Sequence, residues 1–283
     1  MAIELNFGFL PQRLDLSIGP IAIASLDDLD EMIREYPTWE GVEKNWIYAG
    51  NHPSDRVFGL PKTHRISHAD ADSEEHVEFL VWCLSFFIGM RLTTTTAGFL
   101  DATPLKQGAL VDFLCRDKDI ASGVEAADMF WCQNRAHPER CKRVVSAIHA
   151  LFIAQYPHNL QFERFIYLYT ALDACFALTK VVKGVRARIP HAKLIDWMCG
   201  QFGMDTPVWS AQAADLRNNA IHEAMFSEQP LGFAIYGSGG NLNLTMEMEA
   251  FINRIIVAIL CGTHIDYVQT PVNSGMTHII KLA

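Results

Sequence analysis

The 283-residue chain lacks the short motifs that mark many common enzymes. There is no G-x-x-x-x-G-K-[ST] phosphate loop, no G-x-S-x-G nucleophile turn and no H-E-x-x-H zinc helix. It also lacks a cationic excess. A formal net charge of −9 excludes a protein that coats nucleic acid through broad positive surface, so any phosphate site has to be local. The seven cysteines, at positions 83, 115, 132, 141, 175, 199 and 261, include no C-x-x-C pair and are odd in number. Most lie in apolar runs such as Ala174-Cys175-Phe176 and Ile259-Leu260-Cys261, which argues for reduced, buried thiols rather than a disulfide framework. No basic segment opens the chain, and Phe79–Met90 offers only twelve uncharged residues against the roughly 20 that span a bilayer, so a soluble, cytoplasmic protein without a membrane partner is expected. No internal repeat or low-complexity segment is visible.

No metal or cofactor is expected either. Cys132, His137 and Cys141 match no common zinc-finger spacing and have no evident fourth ligand. The segment from His64 to His76 holds many potential ligands. A polar segment entering a helix usually points them outward, whereas a metal site needs them to converge.

Half of the chain is apolar, ample for a sizeable core. Residues 1–71 read as a mixed, β-rich portion. Ile3–Phe7 and Leu14–Ile18 alternate apolar with polar, and Gly19-Pro20 punctuates them. Residues 72–135 read as a helical connecting region, with a first helix over Glu74–Met90 capped by Asp72 or Ser73, and weaker helical segments at 105–114 and 123–131. Residues 136–283 read as a helical bundle. Its segments run from Pro138 to Gln155, Leu160 to Val182, His191 to Gly203, Thr206 to Phe226 and Met246 to Tyr267, with a hairpin or a loop around Gly237–Gly240. The expected fold class is therefore predominantly α, a C-terminal bundle with a smaller N-terminal mixed α/β portion.

Within the bundle, Asp215-Leu216-Arg217-Asn218-Asn219-Ala220-Ile221-His222 brings a guanidinium, an amide and an imidazole onto one helix. These are the groups that metal-free RNA cleavage uses. The guanidinium grips phosphate bidentately, and the imidazole exchanges a proton near neutral pH. Arg217 and His222 lie about 140° apart around the axis and about 7.5 Å along it. Two other Arg/His pairs have similar spacing. Pro190 interrupts any helix joining Arg186 to His191, and His149 falls on an apolar stripe shared with Ile148 and Leu151, so the Arg217 pair is preferred. The competing reading of Arg217 and His222 is a helix-end ion pair with Asp215, Glu223 or Asp173.

Three features in order, Ala171-Leu172-Asp173-Ala174-Cys175-Phe176, Arg217-Asn218-x-x-x-His222 and the apolar helix ending Ile259-Leu260-Cys261-Gly262, resemble HEPN domains, particularly the Apea-like group, over roughly residues 75–270. The resemblance implies an all-α bundle, frequently a homodimer, whose active members are metal-independent ribonucleases of defence or toxin systems. Other members only bind RNA, a nucleotide or a protein. It assigns Arg217 and His222 as the catalytic pair, Asn218 as their polar companion and Asp173 to the place where the family usually has glutamate. It also implies RNA as substrate, and an antitoxin or regulatory protein as a further partner.

A stretch without acids supports an RNA reading. Lys180, Lys183, Arg186, Arg188 and Lys193 fall between Asp173 and Asp196, a local positive field suited to a phosphate backbone. Cations favoured at a helix C-terminus, followed by a solvated loop, account for the same pattern.

Overall fold

The computed structural model describes residues 2–39, 41–48, 60–95, 102–222, 244–272 and 275–282, with the backbone alone at 212 and 218–222. The chain forms two compact units: residues 1–136 with 282–283, and residues 137–281.

The first unit is built on strands β1 (Ile3–Phe7), β2 (Leu16–Ile18) and β3 (Ile21–Ser25), helix α1 (Leu29–Glu35), strands β4 (Val42–Glu43), β5 (Trp46–Tyr48) and β6 (His64–His68), helix α2 (Glu74–Ile88), strand β7 (Ala102–Pro104) and helix α3 (Asp117–Gln133). Four of the strands form an antiparallel sheet in the order β1-β6-β3-β2, and β4-β5-β7 form a smaller one. β6 sits inside the larger sheet, where Ile66 faces Leu5 on one side and Ile23 on the other. Its burial alternates as a half-buried strand requires, with His64, Ile66 and His68 inward and Arg65 exposed. Helix α2 packs on β1, β6 and α3, and α3 also reaches β2.

Local chemistry sets α2. The Ser73 hydroxyl accepts the His76 amide (3.3 Å), Glu74 and Glu75 complement the dipole of the first turn, and Gly89, at φ 68°, ends the helix in the left-handed region. Because only hydrogen occupies the Cα of Gly123, α3 can press against Phe87 of α2. A Cβ there would lie 2.7 Å from the Phe87 ring.

The second unit comprises α4 (Pro138–Ala154), α5 (Gln161–Val182), a 3-10 turn (His191–Lys193), α6 (Leu194–Phe202), α7 (Ser210–His222), α8 (Leu244–Cys261) and a second 3-10 turn (Asp266–Gln269). Helix α5 touches α4, α6 and α8. By length and composition it would cross a membrane, but it carries Glu163, Arg164, Asp173 and Lys180 and its contacts are those of a core helix. In α8 the guanidinium of Arg254 is fully buried. It donates to the carbonyls of Ala250, Thr270 and Pro271 and lies 4.5 Å from the centre of the Tyr267 ring. Carbonyl oxygens and a ring face thus surround the charge and fasten α8 to the segment after it.

The expectation of a predominantly α protein is overturned. The structure is mixed, 52% helical and 14% strand, and it is not plainly a helical bundle. The physical reason lies in β6 and β7. Histidine counts as polar in a hydropathy pattern, so His64-Arg65-Ile66-Ser67-His68 does not read as a strand, yet its two histidines fill inward positions. β7 draws residues 102–104 out of the region read as helical, and 105–114 is turns and a short extended stretch. Residues 72–135 consequently share one unit with the strands that precede them.

Smaller differences have local causes. α7 starts at Ser210, not at Thr206, because Pro207–Ser210 closes a turn (Ser210 N–H to Pro207 O, 3.1 Å). α8 ends at Cys261, short of Tyr267, where Gly262 adopts φ 98°. The stretch around Gly237–Gly240 lies outside the described residues.

Candidate functional site

Two neighbouring turns of α5 supply the base of a polar cluster in the second unit. Tyr169 and Asp173 are four residues apart, hence on one face. The 3-10 turn brings His191 above them. Its Nδ1 is 3.4 Å from the Tyr169 hydroxyl and 4.0 Å from Asp173 Oδ1, and the two rings stack with centres 6.4 Å apart. Helix α7 packs on that turn and contributes Arg217, whose guanidinium carbon lies 5.9 Å from the centre of the Tyr169 ring. Arg217 therefore meets Asp173 and His191 in one electrostatic neighbourhood.

The cluster is open at the top and closed beneath. The side chains of His191 and Asp173 are 47% and 41% exposed, whereas Tyr169 is buried. Burial raises the Asp173 carboxyl above its ordinary value, against the pull of His191 and Arg217. Burial also pushes the Tyr169 hydroxyl up to about 12, with Asp173 adding to the shift and Arg217 opposing it. Tyr169 is consequently a neutral hydrogen-bonding group at any physiological pH. A proton on His191 Nδ1 faces two oxygens, which leaves Nε2 with its lone pair.

Of the residues singled out in the sequence, Arg217 and Asp173 come together. The α7 backbone is helical through His222, but the side chains of Asn218 and His222 lie outside the described residues. His191, set aside as a partner of Arg186 because Pro190 interrupts the helix, enters the site. Nothing in local spacing could show this, because the tie runs between elements, from α5 through the 3-10 turn to α7.

Lys180 lies 5.9 Å from the Phe176 ring centre and Lys183 4.9 Å from that of Phe202, while Lys193 pairs with Asp196 at 3.7 Å. Arg186 and Arg188 are exposed on the loop after Gly184.

A second group of titratable residues occupies the first unit. His68 and His76, expected to point outward, are buried. His68 Nε2 is 3.0 Å and His76 Nε2 2.7 Å from the same oxygen, Oδ1 of Asp128. Burial pushes the His76 pKa down, while Asp128 and Asp72 pull it up. His64, also buried, is lowered to about 4, chiefly by burial. The thiols of Cys175 and Cys261 are both raised to about 12 by burial, as unreactive core groups are.

Comparison of the chain with protein families, with curated proteins and with solved structures returned no significant match.

Proposed function

We propose that the second unit carries a metal-independent endoribonuclease site of the HEPN type, with Arg217 holding the scissile phosphate and an imidazole moving the proton. The observation that carries this reading is the convergence of Arg217, Asp173 and His191 on a solvent-open face beside the cationic stretch 180–193. In the mechanism, His191 Nε2 takes the proton of the ribose 2′-hydroxyl while Asp173 and Tyr169 hold the opposite side of the ring. The 2′-oxygen attacks phosphorus, the P–O5′ bond breaks, the 5′-oxygen leaves with a proton taken from water or a second acid, and a 2′,3′-cyclic phosphate remains. Arg217 neutralises charge on the phosphorane-like transition state. His222, on the same helix as Arg217, is the second candidate for acid–base work, and Asn218 for orienting it.

One observation favours a non-catalytic module that binds RNA, a nucleotide or a protein. The 4.0 Å gap between Asp173 and His191 is wider than a hydrogen bond, so Tyr169, at 3.4 Å, holds the ring without direct help from Asp173. End-labelled single-stranded RNA incubated in EDTA with the full chain, beside Arg217→Ala, His191→Ala and His222→Ala, separates the two. Cleavage to cyclic-phosphate ends is expected, with a loss of about 10²–10⁴-fold for Arg217→Ala and for one or both histidine variants. RNA bound but left intact by the wild type would establish the binding module instead.

A further inference from the structure

Apart from that site, the first unit places two imidazole nitrogens and one carboxylate oxygen around a single point. We propose that His68, His76 and Asp128 bind one divalent transition-metal ion through His68 Nε2, His76 Nε2 and Asp128 Oδ1. These three donor atoms all lie within 4.8 Å of one another. Each comes from a different element, the last residue of β6, the first turn of α2 and the middle of α3, so packing of the unit rather than local sequence creates the convergence.

Hydrogen bonding alone leaves this arrangement incomplete. A carboxylate offers two oxygens, yet both rings crowd onto Oδ1. His76 Nδ1, buried, has no hydrogen-bond partner. Asp72 Oδ1 stands 3.5 Å from it. A proton on Nδ1 would face Asp72 and satisfy that contact, but it would leave the Nε2 lone pair pointing at an anionic oxygen 2.7 Å away. A cation between Nε2 and Oδ1 resolves the conflict.

The surroundings are those of a ligand shell. Asp72 is itself held, by the Trp131 indole N–H at 3.1 Å and by Arg135 Nε at 3.1 Å. The outer carboxylate, His76 and the metal would then form the carboxylate–histidine–metal series common in such centres. Trp131 stacks on His76 with ring centres 5.0 Å apart and 5° between planes, which fixes the ring in its own plane. On the other side the Asp70 amide donates to His68 Nδ1 at 3.1 Å. In the metal-free chain this places the His68 proton on Nε2, donated to Asp128. Loading therefore moves the ring proton from Nε2 to Nδ1, by exchange with solvent, and turns the Asp70 amide away from the ring.

Donor separation selects the kind of ion. With metal–ligand bonds of ~2.1 Å, Nε2–Oδ1 separations of 3.0 and 2.7 Å subtend roughly 80–90°, whereas a tetrahedral ion needs ~3.4 Å. Two nitrogen–oxygen angles near 90° suit an octahedral ion such as Mn²⁺, Fe²⁺ or Co²⁺ better than a closed zinc site, with further positions left for water or a small ligand. Asp128, at 18% exposed against 2% and 0% for the two rings, marks the side from which these positions are reached.

The test is Co²⁺ titration of the metal-free, full-length protein, followed by visible absorption and calorimetry, beside His68→Gln, Asp128→Asn and Asp72→Asn. One equivalent is expected, with the weak bands of six-coordinate cobalt and a shift of the Asp70 amide resonance. His68→Gln and Asp128→Asn should abolish stoichiometric uptake. Asp72→Asn, which removes no ligand, should weaken it by about 10–100-fold, and it remains informative if a ligand variant fails to fold. Less than a fifth of an equivalent bound by the wild type, or equal affinity in the wild type and every folded variant, would overturn the proposal. RNA cleavage in EDTA is read separately, so failure of either idea leaves the other standing.

Discussion

Histidine is the residue on which this chain turns, because its four best-placed copies differ only in surroundings. His191 is exposed beside Asp173, with its Nδ1 3.4 Å from the Tyr169 hydroxyl. His64 is buried between Thr63 Oγ1 at 3.0 Å and Ser25 Oγ at 3.2 Å, and its pKa is driven down to about 4. Linkage sets the sign of the consequence. The unfolded chain, with His64 near 6.5, takes up the proton first, so this contribution is fully present above pH 6.5 and lost as pH falls toward 4. The shift corresponds to about 3 kcal/mol, an order-of-magnitude figure. Urea unfolding at pH 7 and at pH 4.5 should show a smaller loss of stability on acidification for His64→Gln than for the wild type. Equal losses would mean that His64 is protonated inside the fold. Arg217 was singled out because its neighbours in sequence carry the chemistry, and Asp173 because it stands two helices earlier in the order on which the proposed reading rests. His191, His68 and His76 were not, since their roles come from neighbours 18 to 60 residues away that no spacing rule connects.

Among the elements, helix boundaries set by Ser73, Pro138 and Gly203 were readable from capping chemistry, and α2, α4 and α5 begin and end within two residues of where their periodicity places them. The strands were read less well. Those whose inward residues are aliphatic, such as β1 and β3, stood out, whereas β6 hides two inward histidines and β7 is three residues long. The close approach of α2 and α3 offers a test at this scale. Gly123→Ala gains helix propensity of about 1 kcal/mol but drives a methyl into the Phe87 ring, an overpacking cost of 1–3 kcal/mol and occasionally more. A net loss of up to about 2 kcal/mol is expected in thermal unfolding, partly restored by Gly123→Ala combined with Phe87→Leu. A variant as stable as the wild type would show that the two helices have room to separate.

At the scale of the whole molecule, two units each with its own interior make a single cooperative transition the less expected outcome. Scanning calorimetry should give a calorimetric enthalpy larger than the van't Hoff enthalpy, whereas a ratio of one would show that the units melt as one body. The division also bears on how the chain is made. The Asp119 carboxylate, buried in the first unit, accepts the backbone amide of Leu282, 163 residues further on. On a ribosome adding roughly 5–20 residues per second, that amide arrives on the order of 10–30 s after Asp119 does. For that interval the nascent first unit holds an acidic side chain without the partner it will finally have, and that part of its assembly waits for residue 282.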